Sequence, residues 1–226
     1  MPAPIHRMTK AEMVSASKWR CPLPGHSRHT GLEHWTCFVE HGMEQERLGF
    51  FDIETSNLKA DYGIIFGYCI KSSDSDEIVE RFITQKELRR SQCLDKEVVK
   101  QLIIDVQGFD RLVTHYGTRF DLPFARARAE YWGLRFPEYG TIFHTDTYYM
   151  ARRALQISSN RLENVCNHLF GESQKTRIMA KYWIMGLQGD TKSIEYIADH
   201  CRKDVLDLER VYNRLLVYTK GGKKSI

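Results

Sequence analysis

Two carboxylates stand close together inside an apolar segment of the chain. Asp52 and Glu54 interrupt residues Leu48 to Thr55, whose sequence Leu-Gly-Phe-Phe-Asp-Ile-Glu-Thr is typical of a buried strand. Side chains alternate along a strand, so both acids project from the same face of a sheet. Like charges on a buried strand are costly unless a cation lies between them. The spacing therefore predicts a site for Mg²⁺ or Mn²⁺, which favour carboxylate oxygen, rather than the polar face of an edge strand.

The elements that must position this pair belong to an α/β domain. Further strands are predicted at 62–70, 77–84, 111–116 and 142–146, and helices at 86–106, 123–132, 161–170 and 194–218. Asn160 and Glu163 have the spacing of a capping box at the start of the third helix, and Gly171 follows its end. The last helix carries Asp204 at the border of its apolar stripe, with His200 one turn earlier on the same face.

A second set of chemically active residues precedes the first strand. Two cysteines and four histidines fall between positions 21 and 41, in a segment that also contains prolines and glycines. Such clusters in a reducing compartment hold zinc more often than they form disulfides. His34 and Cys37 form a His-x₂-Cys pair, and Cys21 with His29 or His26 would complete a tetrahedral set. The alternative is that these are surface loop residues.

Composition narrows the class of protein. The 226 residues suit one α/β domain with a small appendage, and 42% hydrophobic residues can build a core. No apolar stretch resembles a signal peptide or a bilayer span, and the six cysteines are scattered, so we expect a cytoplasmic protein without a membrane partner. Basic residues concentrate between 151 and 182, where they line either a phosphate path or a solvated face; they include Arg152, Arg153, Lys175 and Arg177.

Three motifs together resemble a known family. Phe-Asp-Ile-Glu-Thr at 51–55, Thr-His-Tyr-Gly-Thr-Arg-Phe-Asp-Leu-Pro at 114–123 and His-Cys-Arg-Lys-Asp-Val at 200–205 are similar to the motifs of the DEDD-type 3′–5′ exonucleases. These belong to the RNase H-like (DnaQ-like) superfamily, and the chain most resembles the YprB-type predicted exonucleases and the proofreading domains of family B polymerases. The resemblance implies an RNase H-like five-stranded mixed sheet flanked by helices, preceded by a small zinc-binding segment. The predicted organisation is a zinc-binding segment at 1–47, an exonuclease domain at 48–219 and a disordered tail at 220–226.

The resemblance also implies catalytic roles. Two Mg²⁺ or Mn²⁺ ions would be held by Asp52, Glu54, Asp121 and Asp204, with Asp52 bridging both ions. His200 would orient or deprotonate the attacking water, or else pair with Asp204 at the helix surface. In the family, one subgroup has a tyrosine four residues before this aspartate and the other has a histidine five residues before it. Here a histidine stands four residues before Asp204, so it has the spacing of the first subgroup and the residue type of the second. The subgroup is therefore left open.

Binding residues follow from the same resemblance. Thr55, Asn57 and Leu58 would contact the terminal nucleotide, and Tyr116 could stack on a base. The likeness at 29–37 favours Cys21, His29, His34 and Cys37 as structural zinc ligands, with His26 as the alternate ligand.

The function predicted is a metal-dependent 3′–5′ exonuclease acting on single-stranded DNA or RNA. Two other functions are weighed against it: an RNase H-like endonuclease for hybrids or junctions, and a non-catalytic nucleic-acid-binding module. No residue of the sequence can be identified as one that contacts a 2′-hydroxyl, so the sequence does not decide between DNA and RNA as the substrate.

Overall fold

The computed structural model describes residues 13, 16–23, 25, 29–41, 46–90, 94–174 and 178–218. Among the sites predicted above, His26, Lys175, Arg177 and the tail at 220–226 lie outside the described residues. The chain divides into two units, Met1–Gln45 and Glu46–Ile226. The first unit contains helix α1, Trp35–His41.

The second unit is built on one mixed sheet. Its strands are β1 Leu48–Thr55, β2 Ile65–Ser72, β3 Ile78–Phe82, β4 Arg111–Thr114 and β5 Phe143–Asp146. They lie in the order β3-β2-β1-β4-β5, with β1 antiparallel to β2 and parallel to β4. The strands β2 and β3 are antiparallel, and β4 and β5 are parallel. The predicted five-stranded mixed sheet flanked by helices is confirmed.

Helices cover both faces of this sheet. They are α2 Gln85–Leu88, α3 Lys96–Val106, α4 Asp121–Tyr131, α5 Thr147–Ala154, α6 Leu162–Phe170, α7 Ala180–Leu187 and α8 Thr191–Leu215, followed by a 3₁₀ turn at Leu216–Tyr218. Helix α8 packs against β1 and β2 and carries the largest hydrophobic stripe of the unit.

The two faces of β1 bury different cores. Phe51 and Ile53 pack on one side with residues of α3 and α4. Phe50 packs on the other side, in a core formed mainly by α5, α6 and α8. Because Asp52 and Glu54 alternate with Phe51 and Ile53, they project toward α8, on the shared face that the strand period predicts.

The prediction of one continuous helix over 86–106 is wrong, because the structure has two separate helices there, α2 and α3, and α3 begins only at Lys96. Asp95 is fully buried there, accepts the main-chain N–H of Ile65 at 2.8 Å, and binds Arg128 of α4 through contacts of 2.6 and 2.9 Å. A carboxylate that enters the core must be paired, so this segment is shaped by a tertiary ion pair rather than by helical periodicity.

The capping box predicted from Asn160 and Glu163 is also wrong. Helix α6 begins one residue later, with Arg161 at its N-cap, and this described end has no side-chain cap. The main-chain carbonyl of Asn160 instead contacts the ring of His115 at 2.8 Å. Gly171 ends the helix as predicted, in the left-handed conformation at φ 79°.

No helix among the residues that the structure describes has both the length and the apolar character needed to cross a membrane.

Candidate active site

Strand β1 positions the first two acids at the centre of the sheet. Asp52 lies opposite Cys69 of β2, and Glu54 lies opposite Gly67. The regular register ends between Glu54 and Thr55, where the ladder shifts. Both carboxylates therefore lie on backbone that is paired regularly with β2, immediately before the strand becomes irregular, whereas the pairing with β4 ends at Phe50.

Helix α8 brings two more of the predicted residues to these acids. The Nδ1 atom of His200 lies 3.3 Å from Oε1 of Glu54 and 3.8 Å from Oδ2 of Asp204. Both His200 and Asp204 are buried. The imidazole is thus held between a carboxylate of the strand and a carboxylate of the helix, which excludes the surface pairing considered from the sequence.

Cys201 is a site residue that the sequence does not predict, because its position belongs to the apolar stripe of α8. Its single S–H group has two acceptors on Asp52, the Oδ2 atom at 3.5 Å and the main-chain oxygen at 3.6 Å. Burial, the neighbouring Cys69 thiol and the charges of Asp52 and Glu54 raise the pKa of Cys201 well above its usual range. Cys201 is therefore a neutral donor that orients the Asp52 carboxylate.

Asp121 joins the site from the first residue of α4. Its Oδ1 accepts the main-chain N–H of Ile53, the residue between the two acids of β1, at 3.2 Å. Burial raises the pKa of Asp121 to about 7. The hydrogen bond from this N–H opposes the shift, and the charges of Asp146 and Glu54 reinforce it. A buried carboxyl surrounded by other acids binds a proton readily, and it would bind a cation for the same reason.

The donor set fits a divalent cation. Asp52, Glu54 and Cys201 are the one group of three potential ligands within 4.8 Å of one another among the described residues. The two carboxylates of this group are the hard oxygen ligands that Mg²⁺ and Mn²⁺ prefer, whereas a thiol suits softer metals. Asp204 and Asp121 approach the same pair from α8 and α4. The structure thus brings together all four predicted acids and His200.

A rigid loop after β4 forms one wall of the site. Asp146 accepts the main-chain N–H groups of Tyr116 and Thr118 at 2.9 and 3.0 Å, and it also caps α5 by accepting from Tyr148 at 3.0 Å. These bonds hold Tyr116 at φ 69°, a conformation that costs energy for an aromatic residue. A β-carbon at Gly117 would collide with the side chain of Thr114. The loop is therefore held by hydrogen bonds to Asp146 and by close packing of Gly117 on Thr114.

An open cleft of 780 Å³ lies beside Asp52 and Asp204. Its described lining also includes the aromatic rings of Tyr116 and Tyr148, the ring of His115, and the segment from Ser158 to Glu163. The two tyrosine rings meet edge to face at 4.8 Å, and Tyr116 is 44% exposed. A cleft that joins acids to exposed aromatic rings can accept a nucleotide.

The other predicted substrate contacts lie elsewhere. Thr55 is the last residue of β1, and Asn57 and Leu58 lie in the loop that follows, where Leu58 is 78% exposed. The hydroxyl of Thr55 donates to the main-chain oxygen of Asn57 at 2.9 Å. Arg152 and Arg153 are exposed on α5 and are not part of the described cleft lining.

The first unit assembles the predicted zinc ligands in two pairs. The sulfurs of Cys21 and Cys37 are neighbours, since burial together with Cys21 raises the pKa of Cys37. The rings of His29 and His34 lie with centroids 5.8 Å apart, and the main-chain N–H of Cys21 donates to the carbonyl of His29 at 3.4 Å. These donors suit zinc chemically, although no three of these described ligand atoms lie within 4.8 Å of one another.

Comparison with known proteins identifies the superfamily to which this fold belongs. A family model described as the RNase H superfamily matches residues 49–216. The chain therefore belongs to the RNase H superfamily. This match and the polymerase matches below confirm the resemblance of its three motifs to the DnaQ-like 3′–5′ exonucleases.

The similar proteins include archaeal DNA polymerases. The DNA polymerase of Methanocaldococcus jannaschii is 26% identical over 202 residues, which cover 75% of this chain and 12% of the polymerase. That of Pyrococcus glycovorans is 26% identical over 191 residues, which cover 72% of this chain and 24% of the polymerase. The chain thus spans a quarter or less of the length of these relatives.

A solved structure shares the fold. The family B DNA polymerase from the hyperthermophilic archaeon Pyrobaculum calidifontis superimposes with a TM-score of 0.63 at 17% identity, over 76% of this chain and 25% of that chain. Superfamily membership and the polymerase matches together point to a nuclease.

Proposed function

We propose that the protein is a metal-dependent 3′–5′ exonuclease that hydrolyses single-stranded DNA or RNA by a two-metal-ion mechanism. The observation that carries this proposal is the convergence of four carboxylates from three elements, two of them lining an open cleft. Four carboxylates without a cation repel one another, and burial together with the charges of Asp146 and Glu54 raises the pKa of Asp121. Such a set is costly to the fold and is explained by a task that needs it.

Carboxylates from three elements would hold the ions. Asp52 and Glu54 would bind from the strand, Asp204 from α8, and Asp121 from α4. Divalent ions held there supply Lewis-acid stabilisation of the charge on the attacking and leaving oxygens of the phosphodiester. Cys201 keeps the carboxylate of Asp52 in one orientation, since its thiol donates to Oδ2.

His200 would orient or deprotonate the attacking water. Its imidazole lies against Glu54 and Asp204, so a proton taken by the ring would be stabilised by two neighbouring negative charges. The helix fixes the ring, because His200 and Asp204 are one turn apart and both are buried.

The cleft would receive the 3′ end of a single strand. Tyr116 and Tyr148 offer aromatic faces on which unpaired bases stack, a contact that every base can make. Thr55, Asn57 and Leu58 would contact the terminal nucleotide from the end of β1. Arg152 and Arg153, with Lys175 and Arg177, would guide the phosphate backbone farther from the cleft.

The proposal is tested with 5′-labelled single-stranded DNA and RNA of the same sequence, incubated with Mg²⁺, Mn²⁺ or EDTA. We expect a ladder that shortens from the 3′ end, releases nucleoside 5′-monophosphates and requires the metal. Asp52→Asn should lower the rate at least about a thousandfold, because it removes a charge on which the metal site depends. Asp76→Asn, in the exposed turn between β2 and β3, is the matched control and should cleave like the wild type.

Other outcomes identify the other functions. Internal products from the labelled strand indicate an endonuclease. Strand binding without any cleavage in either metal indicates a nucleic-acid-binding module. Either result would contradict the exonuclease proposal.

The first unit is proposed to bind one structural zinc ion through Cys21, His29, His34 and Cys37, with His26 as the alternate ligand. Four protein ligands leave no open position, so the ion would stabilise the unit rather than act on substrate. Elemental analysis of the purified protein should give one zinc per chain, and Cys37→Ser should lose it. The five described cysteines are thiols, which suits the proposed cytoplasmic location.

A further inference from the structure

His115 forms contacts at both of its ring nitrogens with groups on two other segments. Its Nε2 lies 2.8 Å from the main-chain oxygen of Asn160, and its Nδ1 lies 2.9 Å from the hydroxyl of Thr147. A main-chain carbonyl has no hydrogen and can only accept. The Nε2 atom of His115 must therefore carry a proton.

The partner of Nδ1 has a single hydrogen. The hydroxyl of Thr147 lies 2.9 Å from the main-chain oxygen of Thr114, which can only accept. When Thr147 donates to that oxygen, it accepts from His115 and Nδ1 carries a proton; when it donates to Nδ1, the contact with Thr114 has no hydrogen. A neutral ring in either tautomer would leave one of these close contacts without a hydrogen between two electronegative atoms.

The charges around the ring favour this doubly protonated form. His115 shares the cleft lining with Asp52, Asp204 and Glu163, and the basic residue of that described lining is Arg161. The other titratable groups of the described lining are Tyr116 and Tyr148, and the ring of Tyr148 lies 5.9 Å from that of His115. A further acid, Asp146, holds the adjacent loop. The acids outnumber Arg161 and stabilise a cation.

We propose that His115 is held as an imidazolium and that its fixed charge binds the phosphate backbone of a nucleic acid strand in the cleft. The inference rests on the proposed function for the identity of the ligand, but the protonation of the ring rests on its hydrogen bonds and on the charges around it. Both N–H groups are engaged by the protein, so His115 contributes charge rather than a hydrogen bond. In the metal-free protein it offsets the repulsion that Asp52, Asp204 and Glu163 exert on an entering phosphate.

The protonation is tested on the wild-type protein by ¹⁵N nuclear magnetic resonance of the histidine rings in EDTA. At pH 7.5, about one unit above the usual histidine pKa, we expect both nitrogens of His115 to show the shifts of protonated nitrogen. His168, which is exposed on α6, is recorded in the same spectrum as a reference ring outside the cleft. A neutral His115 ring at this pH would overturn the inference, whatever the protein does to nucleic acids.

The binding role is tested by fluorescence anisotropy with a labelled single-stranded oligonucleotide in EDTA over a series of salt concentrations. His115→Gln should weaken binding at low salt about fivefold and reduce the slope of log K against log salt by about 0.7, the value for one charge on a single strand. His168→Gln should bind like the wild type.

The two proposals fail in distinguishable ways. An unchanged affinity and slope in His115→Gln would overturn the inference while leaving the exonuclease proposal intact. Conversely, a wild-type protein that binds the strand through a charged His115 but never cleaves it would support the inference and contradict the exonuclease proposal.

Discussion

At the scale of single residues, substitution of Cys201 tests whether its contact with Asp52 orients the carboxylate of Asp52. Cys201→Ala removes the S–H donor and should lower activity at limiting Mn²⁺ by about 10- to 100-fold, the usual effect of losing a partner of a metal ligand. Cys201→Ser keeps a donor and should recover part of this loss. The measurement is the rate as a function of Mn²⁺ concentration.

The matched control for this substitution is Cys166→Ala. Cys166 is also fully buried, on α6, and burial raises its pKa to about 12, so it is likewise a neutral thiol. Its removal leaves a similar small cavity without touching Asp52. If Cys166→Ala shifts the Mn²⁺ dependence as strongly as Cys201→Ala, the effect is a general loss of packing and the positioning role is refuted.

His200 acts at the same scale on the chemical step. His200→Ala should lower kcat by about 10²- to 10⁴-fold, the range for loss of a general acid–base group. The affinity for Mn²⁺ should change little, because the four acids remain. Single-turnover rates and calorimetric titration with Mn²⁺ separate the two effects. A variant with wild-type kcat and a wild-type pH profile would make His200 a bystander.

At the scale of elements, the ion pair between Asp95 and Arg128 joins the start of α3 to α4. Asp95 also accepts from Ile65 of β2 and from the indole of Trp132 at 2.9 Å. Arg128→Met would leave the carboxylate buried without its cation, so we expect the free energy of unfolding to fall by about 3–5 kcal/mol. Urea denaturation measures this loss.

Arg126→Met is the control on the same helix. Arg126 is exposed, so its replacement should cost about 1 kcal/mol or less. Equal losses for the two variants would show that helix propensity or surface charge, rather than the buried pair, determines the stability of this element.

The elements that the sequence predicts well are those with a long and regular pattern. Strand β1 alternates in a way that places both acids on one face, and α8 carries an apolar stripe over many turns. Helices α5 and α7 escaped prediction because each has only 8 residues, too few to establish a period. The break before Lys96 was missed because its cause, the pairing of Asp95 with Arg128, is a contact between distant segments.

The same distinction applies within the site. The four acids could be predicted because their spacing and their motifs are local properties of the chain. Cys201 and His115 could not, since each owes its role to partners on other elements, Asp52 in one case and Thr147 and Asn160 in the other. A signal did exist for Cys201: it directly follows His200 within the third motif.

At the scale of the whole molecule, a buried histidine affects the response of stability to acid. Burial lowers the pKa of His144 to about 4. The negative charge of Asp146 opposes this shift, and the positive charges of Arg126 and Arg111 reinforce it. The unfolded chain binds a proton at this histidine below about pH 6.5, whereas the folded protein does not until about pH 4. Stability from this group is therefore complete above pH 6.5 and is lost as the pH falls toward 4, by on the order of 3 kcal/mol.

The comparison of wild type with His144→Gln isolates this effect, because the other titrating groups cancel in the difference. The variant should lack that part of the decline in urea-unfolding free energy between pH 6.5 and pH 4. Parallel pH profiles for the two proteins, or a His144 resonance that titrates near pH 6.5, would contradict the account of a neutral buried ring.

The central claim is that the acids of β1, α4 and α8 degrade a nucleic acid from a free end. The most direct measurement mixes linear and circular forms of one single-stranded DNA, and in parallel of one RNA, with the wild-type protein and Mn²⁺. We predict that the linear form is degraded to nucleoside 5′-monophosphates while the circle stays intact, since an exonuclease cannot begin without a 3′ end. Cutting of the circle, or survival of both forms of both nucleic acids, would contradict the claim.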